Sequence, residues 1–199
     1  MKDFSELIKT RRSIRQFTEE LLDGDAVKLL LRAGLMAPSS KGLHSYEFIV
    51  VEDKQMLAAL SQCKSVGSDF LAGAPLAIAV LADPAVSDVW VEDCSIATIL
   101  MQLAAEEMGL GSCWVQIRLR KDSEGGSAEQ NVKTLLQLPE HYAVLSILGV
   151  GHKERESKPF DEDKMQWEKI HINKYGALRG TRCAIRLYLL LFDLDVCAS

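Results

Sequence analysis

A cluster of basic residues near the start of the chain has the clearest potential for chemistry. Arg11, Arg12 and Arg15 occur with Ser13 within five residues. Guanidinium groups and a hydroxyl offer charge-assisted, bidentate hydrogen bonds, which hold a phosphate monoester against competition from water. A helix end close by would add its own field. The same residues are also compatible with a solvated basic surface, so the cluster alone does not decide between the two.

A polar loop from Pro38 to His44 is the second candidate. It contains the hydroxyls of Ser39 and Ser40, the flexible backbone of Gly42 and the imidazole of His44. The loop follows a predicted helix and precedes a predicted strand, and loops in that position often aim polar groups at a ligand. An ordinary connection between a helix and a strand explains the same residues, and it is the favoured interpretation when the loop is taken alone.

Other signatures of catalysis or metal binding are missing from the sequence. There is no GxSxG, HExxH or P-loop motif, and the four histidines lack metal-ligand spacing. The five cysteines contain no CxxC pair, so neither a zinc site nor a disulfide framework is predicted. The segment Gly109-Leu110-Gly111 lacks the full GxGxxG pattern and is predicted to end a helix. We therefore expect no metal and no dedicated catalytic side chain, and an enzyme of this kind would depend on a bound cofactor.

Length and composition predict one compact domain. The chain has 199 residues, of which 48% are hydrophobic, enough for a buried core and a subunit interface. Neither a membrane-spanning run nor a signal peptide is visible, so we expect a cytoplasmic protein without a membrane partner. A formal net charge of -5 gives no overall attraction to nucleic acid, which we do not expect as a partner.

Patterns typical of helices and strands alternate along the chain. Helices are predicted around residues 4–8, from Asp23 or Asp25 to Pro38, from Asp53 onward, from Val89 to Met108 and from Ser127 to Pro139. Strands are predicted at Tyr46 to Val51, Leu76 to Ala82, Cys113 to Ile117 and Ala143 to Val150. This alternation favours an α/β or α+β layered domain. The helix from Val89 to Met108 is apolar around most of its circumference and is predicted to be central and buried.

The C-terminal part differs in composition. Residues 152–169 are rich in charge and are predicted to form a surface segment or an arm. The last residues, from Leu178 to Ser199, combine arginines with an apolar run, and their role is left open.

The segments taken in order resemble one known family. RRSIRQF, APSSKGLHSYEFIVVED, GAPLAIAVLAD, AAEEMGLGSCW, SILGVGHKE and KIHINKYG together are similar to the nitroreductase family of FMN-dependent NAD(P)H oxidoreductases. The similarity covers residues 1–176 and leaves 177–199 as a C-terminal extension. It implies an α+β, three-layer sandwich with a central, mainly antiparallel sheet flanked by helices. It also implies a homodimer with two FMN sites at its interface.

The resemblance assigns roles to the candidate residues. Arg11, Arg12, Ser13 and Arg15 match the segment that binds the FMN phosphate and ribityl chain, and Lys158 matches a basic residue near that phosphate.

The remaining assignments concern the isoalloxazine ring. Pro38, Ser39 and Ser40 match the loop that reaches the ring, commonly from the partner subunit, and Gly151 matches a glycine that lets the chain approach the flavin. The sequence departs from the family where many members carry Asn and Gln in this loop, because it has Gly42 and His44 there. His44 is a candidate for a hydrogen bond to flavin or substrate.

The function implied by the resemblance is oxidation of NADH or NADPH through FMN, with reduction of a small-molecule acceptor such as a nitroaromatic or a quinone. Three alternatives stay open at this point. One is a specialised flavin reaction such as reductive dehalogenation or flavin fragmentation. The others are a flavin-binding protein without useful turnover and an acidic interaction domain without a cofactor.

Overall fold

A computed structural model describes residues 3–176 of the chain. The chain divides into two compact units, Met1–Phe160 and Asp161–Ser199. The apolar tail from Leu178 onward, with Cys183 and Cys197, lies outside the described residues, and the expected domain boundary after residue 176 stays a prediction. No helix among the described residues is both long enough and apolar enough to cross a membrane.

The described part of the first unit contains five α-helices and four strands. The helices are α1 (Phe4–Thr10), α2 (Gly24–Leu35), α3 (Lys54–Ser61), α4 (Trp90–Glu107) and α5 (Ala128–Leu135). The strands are β1 (Tyr46–Val51), β2 (Leu76–Ala82), β3 (Leu110–Gln116) and β4 (Ala143–His152). Single 3-10 turns lie at Ser40–Gly42, Asp69–Gly73, Glu162–Lys164 and Trp167–Lys169, the last two in the second unit.

The sheet is antiparallel throughout and has the strand order β1-β2-β4-β3. Alternate residues of β2 enter different cores: Ile78 and Val80 pack with α2 and α4, whereas Ala77 and Ala79 pack with α3 and α5. Every residue of β2 is buried, as its continuous apolar sequence predicts. The predicted α+β sandwich with a central antiparallel sheet is confirmed.

Side-chain caps explain where the helices begin. Asp23 accepts a hydrogen bond from the backbone N–H of Ala26 at 2.6 Å, so Asp23 and not Asp25 starts α2. Asp3, Asp53 and Ser127 cap α1, α3 and α5 in the same way. Helix α4 is the long helix that was predicted, and it packs against α2 and the sheet. The prediction that it is buried was only partly right, because Ile96 and Ile99 are exposed.

The predicted start of the third strand was wrong by three residues. The strand begins at Leu110 rather than Cys113, because Gly109 takes a φ of +77° and turns the chain directly from α4 into β3. Leu110 and Gly111 then pair at once with His152 and Gly151. The prediction that Gly109 ends the helix is confirmed.

Candidate ligand-binding site

The basic segment crosses the sheet over two glycines that face each other. Gly111 of β3 and Gly151 of β4 are direct partners in the antiparallel register. A Cβ atom at Gly111 would lie 2.7 Å from Cγ2 of Ile14, and one at Gly151 would lie 2.6 Å from Cδ of Pro75 and 3.0 Å from Cδ1 of Phe17. Ile14 and Phe17 thus fill space that only glycine leaves free.

Backbone hydrogen bonds fix the basic segment in this position. The N–H of Ile14 donates to the carbonyl of Ser112 at 3.0 Å, and the N–H of Thr18 donates to the carbonyl of His152 at 3.0 Å. Ile14 is only 6% exposed, whereas its neighbours Ser13 and Arg15 are exposed. Burial of the apolar residue therefore turns both polar neighbours outward.

The segment that follows β4 runs beside the basic segment. The N–H of Glu154 donates to the carbonyl of Gln16 at 3.2 Å, and the N–H of Phe160 donates to the carbonyl of Lys9 at 2.8 Å. The residues between them are exposed, as predicted, but they are tied to the N-terminal segment at both ends. Lys158, which is far from the arginines in sequence, is brought to them in this way.

These two segments enclose an open cavity of about 510 Å³. Its lining consists of cations and hydroxyl groups: Arg11, Arg12, Ser13, Arg15, Ser157 and Lys158. Within the described chain, the structure gives none of the four cations a carboxylate partner. A set of donors without a neutralising acid suits an anion that carries two charges, such as a phosphate monoester.

The expectation that a helix end would help to hold an anion was wrong. Arg11 is the C-terminal cap of α1, so the adjoining helix end is the one with a partial negative charge. The side chains of the cavity must therefore supply the attraction themselves.

A buried ion pair lies behind the basic segment. The backbone of Lys153 forms an isolated antiparallel β-bridge with that of Phe17. The Nζ atom of Lys153 lies 3.1 Å from Oε2 of Glu106 in the last turn of α4. Their side chains are 7% and 4% exposed. Removing either partner of such a pair is costly, so the pair fixes the position of β4 relative to α4.

The polar loop is attached to the opposite end of α4. Oδ1 of Asp93 accepts a hydrogen bond from the N–H of Ser40 at 2.9 Å, and its Oδ2 accepts one from Ser87 at 3.2 Å. Asp93 is 3% exposed and lies in the first turn of α4. This buried carboxylate holds the loop against the helix.

A second set of hydrogen bonds closes the loop on itself. The N–H of His44 donates to Oγ of Ser39 at 2.9 Å, and the Tyr46 hydroxyl donates to the carbonyl of Ala37 at 2.6 Å. Nδ1 of His44 lies 2.8 Å from the same hydroxyl oxygen. His44 has a φ of +46°, a left-handed conformation that these contacts stabilise. Burial, with a smaller effect of the Asp93 carboxylate, raises the pKa of Tyr46 and keeps its hydroxyl protonated.

Comparison with known proteins places this architecture in one family. The model of the nitroreductase family matches residues 8–65 and 61–152, more than half of the chain. The chain belongs to the nitroreductase family. A protein of Archaeoglobus fulgidus with the provisional name NADH dehydrogenase/NAD(P)H nitroreductase is 33% identical over 180 residues, covering 88% of this chain and 100% of that protein.

Solved structures agree with this assignment. An FMN-dependent nitroreductase from Clostridium difficile R20291 is 42% identical, with a TM-score of 0.83 over 85% of this chain and 98% of that one. A protein from Bacteroides thetaiotaomicron, provisionally named NADH dehydrogenase/NAD(P)H nitroreductase, is 32% identical, with a TM-score of 0.78 over 86% of this chain and 97% of that one.

The structure of this family member brings together only part of the predicted site. Arg11, Arg12, Ser13, Arg15 and Lys158 line one cavity, whereas none of the residues from Pro38 to His44 belongs to the described lining. Gly151 lies in β4, where Pro75 and Phe17 occupy the space beside its Cα, so close packing alone already requires glycine there. Its predicted approach to a flavin stays a prediction.

Sequence reasoning missed several residues that shape these sites. Ser157 lines the main cavity, and Arg155 joins Ser13 and Arg15 around a smaller neighbouring cavity of about 170 Å³. The only signal was the basic and hydroxyl content of the charged segment after β4. Asp93 carried no signal either, because an acidic residue in the first turn of a helix is common.

Proposed function

We propose that this member of the nitroreductase family is an FMN-dependent NAD(P)H oxidoreductase. One observation carries the proposal: the four cations of two distant segments line one cavity and have no carboxylate partner in the described chain. The name of the relative from Clostridium difficile, an FMN-dependent nitroreductase at 42% identity, supports FMN as the phosphate-bearing cofactor.

The donor set of the cavity fits the phosphate of FMN. Arg11, Arg12, Arg15 and Lys158 would balance its two negative charges, and Ser13 would add a hydroxyl hydrogen bond. The loop from Pro38 to His44 would contact the isoalloxazine ring. When bound, FMN would supply the redox chemistry, which is oxidation of NADH or NADPH coupled to reduction of a nitroaromatic, a quinone or a similar acceptor.

In this proposal, the side chains of the protein bind and orient the cofactor and the acceptor. A thiol nucleophile close to the cavity would need a low pKa, but burial raises the pKa of Cys113 despite the nearby Arg15. Cys113 is therefore a protonated, buried thiol and not a reactive group. The proposed reaction needs no acid or base from the protein beyond hydrogen bonds that hold the cofactor and the acceptor.

The proposed enzyme is a homodimer, with the ring-contacting loop supplied by the second subunit. Large apolar side chains are exposed on three helices of the described chain: Phe4 and Ile8 of α1, Leu29 and Leu35 of α2 with the adjoining Met36, and Ile96 and Ile99 of α4. Light scattering should give a molar mass twice the chain mass of 22.1 kDa. A monomeric mass at assay concentrations would contradict this part of the proposal.

The four cations of the cavity form the proposed phosphate anchor, which is tested by removing two of its charges. Each charge-assisted hydrogen bond contributes about 1.5 to 3 kcal/mol, so Arg11→Ala with Arg12→Ala should weaken FMN binding on the order of 100-fold to 10,000-fold. Arg32→Ala on the exposed side of α2 is the matched control and should leave the affinity unchanged. An unchanged FMN affinity in the double variant would refute the assignment of the anchor.

An absorbance spectrum separates the remaining functions. The purified protein should show bound flavin, and NADH or NADPH should bleach it under anaerobic conditions until a quinone restores it. Flavin that neither nucleotide bleaches would indicate binding without turnover. Protein that takes up no FMN would indicate an interaction domain, and bleaching without turnover of quinones or nitroaromatics would indicate a specialised reaction.

A further inference from the structure

The hydrogen bonds of the polar loop fix the tautomer of His44. The Tyr46 hydroxyl has one proton, and it lies 2.6 Å from the carbonyl oxygen of Ala37, which can only accept. The hydroxyl proton is therefore committed to that carbonyl. Nδ1 of His44, 2.8 Å from the same hydroxyl oxygen, must then be the donor of its own hydrogen bond.

A neutral imidazole with a proton on Nδ1 has a bare lone pair on Nε2. His44 is exposed, and no hydrogen bond joins its Nε2 to any of the described residues. The edge-on contact with Tyr46, with ring centroids 5.7 Å apart, and the left-handed backbone limit the directions in which the ring can turn. In its neutral form, His44 thus presents a hydrogen-bond acceptor, and not a donor, from this loop.

We propose that His44 is a specificity-determining residue that accepts a hydrogen bond at Nε2 from an O–H or N–H group of the electron acceptor. This inference rests on the proposed function, because it requires an acceptor held at the loop. An alcohol hydroxyl on a side chain of a quinone satisfies Nε2, whereas its methyl ether in the same place offers only lone pairs. The enzyme should therefore favour quinones with a hydroxyalkyl side chain over the corresponding methyl ethers.

The tautomer itself can be tested without any enzymatic reaction. Nitrogen-15 NMR of the FMN-loaded protein at mildly alkaline pH distinguishes a protonated ring nitrogen from a bare one. The expected spectrum has a protonated Nδ1 and a bare Nε2 for His44. Tyr46→Phe removes the fixed partner of Nδ1 and should leave a mixture of the two tautomers. A proton on Nε2 in the unsubstituted protein would overturn the proposal.

Specificity is tested with a matched pair of acceptors, a quinone with a hydroxymethyl substituent and its methyl ether. A neutral hydrogen bond corresponds to about a 2-fold to 12-fold effect, so His44→Asn should reduce the ratio of the two kcat/KM values by that factor. Asparagine tolerates the left-handed backbone at this position, which separates loss of the ring from strain. Tyr46→Phe should reduce the ratio by less, and circular dichroism shows whether that buried substitution preserves the fold.

The outcomes separate this proposal from the proposed function. Protein that binds no FMN, or FMN that NAD(P)H never reduces, would refute the proposed function, while the NMR result still stands for the tautomer. An enzyme that turns over both quinones with the same ratio before and after His44→Asn would overturn the role of His44 alone. Weaker FMN binding in His44→Asn with an unchanged ratio would place the donor on the flavin, and it would also overturn the assignment to the acceptor.

Discussion

Replacing Gly111 by alanine should damage the candidate phosphate site without touching any of its charges. The new Cβ would lie 2.7 Å from Cγ2 and 2.8 Å from Cβ of Ile14, closer than real Cβ contacts come. The Ile14 Cβ is rigidly attached to the backbone, so a rotamer change cannot relieve the clash, and the segment itself must move away from β3. Overpacking of this kind costs about 1 to 3 kcal/mol of stability.

The displacement also moves the polar neighbours of Ile14. Ser13 and Arg15 are fixed through the bond between the Ile14 N–H and the Ser112 carbonyl, so a shift of Ile14 misplaces them. Losing one charge-assisted contact, about 1.5 to 3 kcal/mol, should weaken FMN binding roughly 10-fold to 150-fold.

Fluorescence titration with FMN measures the affinity, and urea unfolding measures the stability of the same samples. Gly73→Ala is the matched control, because a Cβ there meets nothing within 4 Å and no unusual φ is involved. It should change neither quantity by a comparable amount. Unchanged FMN affinity in a Gly111→Ala protein that is measurably less stable would show that the anchor does not depend on the packing of Ile14, which refutes the reasoning.

Two further predictions concern buried ionisable groups. Lys153→Met removes the cation beside the buried Glu106 carboxylate and should lower the free energy of unfolding, measured in urea, by about 3 to 5 kcal/mol. Adding Glu106→Gln to Lys153→Met removes the unpaired charge and should recover part of this lost stability. No recovery would contradict the pairing. Burial raises the pKa of Cys63 from 9.0 to about 11, so the unfolded chain releases this proton first. The stability contributed by the neutral thiol is complete below pH 9.0 and is lost as the pH rises toward 11. The free energy of unfolding should therefore fall less steeply across that range in Cys63→Ala than in the unsubstituted protein.

Most secondary structure was predictable because local signals and burial agree. The strands at Tyr46–Val51 and Leu76–Ala82 were predicted with the bounds that the structure shows, since both are apolar runs between turn residues. The end of α4 was also predictable from a glycine. The start of β3 was not, because Gly111 weakens a strand pattern and its reason for being glycine, the approach of Ile14, is a tertiary contact.

The candidate site was predictable only in part for a similar reason. The arginines near the N-terminus form a local pattern, but the alignment of Glu154 with Gln16 and of Phe160 with Lys9 is a long-range property. Charge along the sequence after β4 could not distinguish a free arm from a segment that completes a cavity. The buried carboxylate of Asp93 likewise shows its role only once the N–H of Ser40 is found beside it.

Helix α4 separates the two halves of the candidate site and so bears on how a complete site is formed. Asp93, which holds the polar loop, and Glu106, which pairs with Lys153 behind the basic segment, are thirteen residues apart on α4. At 1.5 Å per residue they lie about 20 Å apart along the helix axis. A single chain therefore places its basic cavity and its own loop at opposite ends of this helix, which supports a site built from two subunits.

Subunit mixing tests this arrangement. One parent carries Arg11→Ala with Arg12→Ala, which damages the cavity, and the other carries Asp93→Ala, which releases the loop. If the halves come from different subunits, unfolding and refolding the parents together restores an intact site in mixed dimers, and about a quarter of all sites should bind FMN as the unsubstituted protein does. Sites made within one chain would give no recovery, because every chain then carries a damaged half. Tight FMN binding that appears only in the mixture, at about that fraction, is therefore possible only when the loop reaches the cavity of the other subunit.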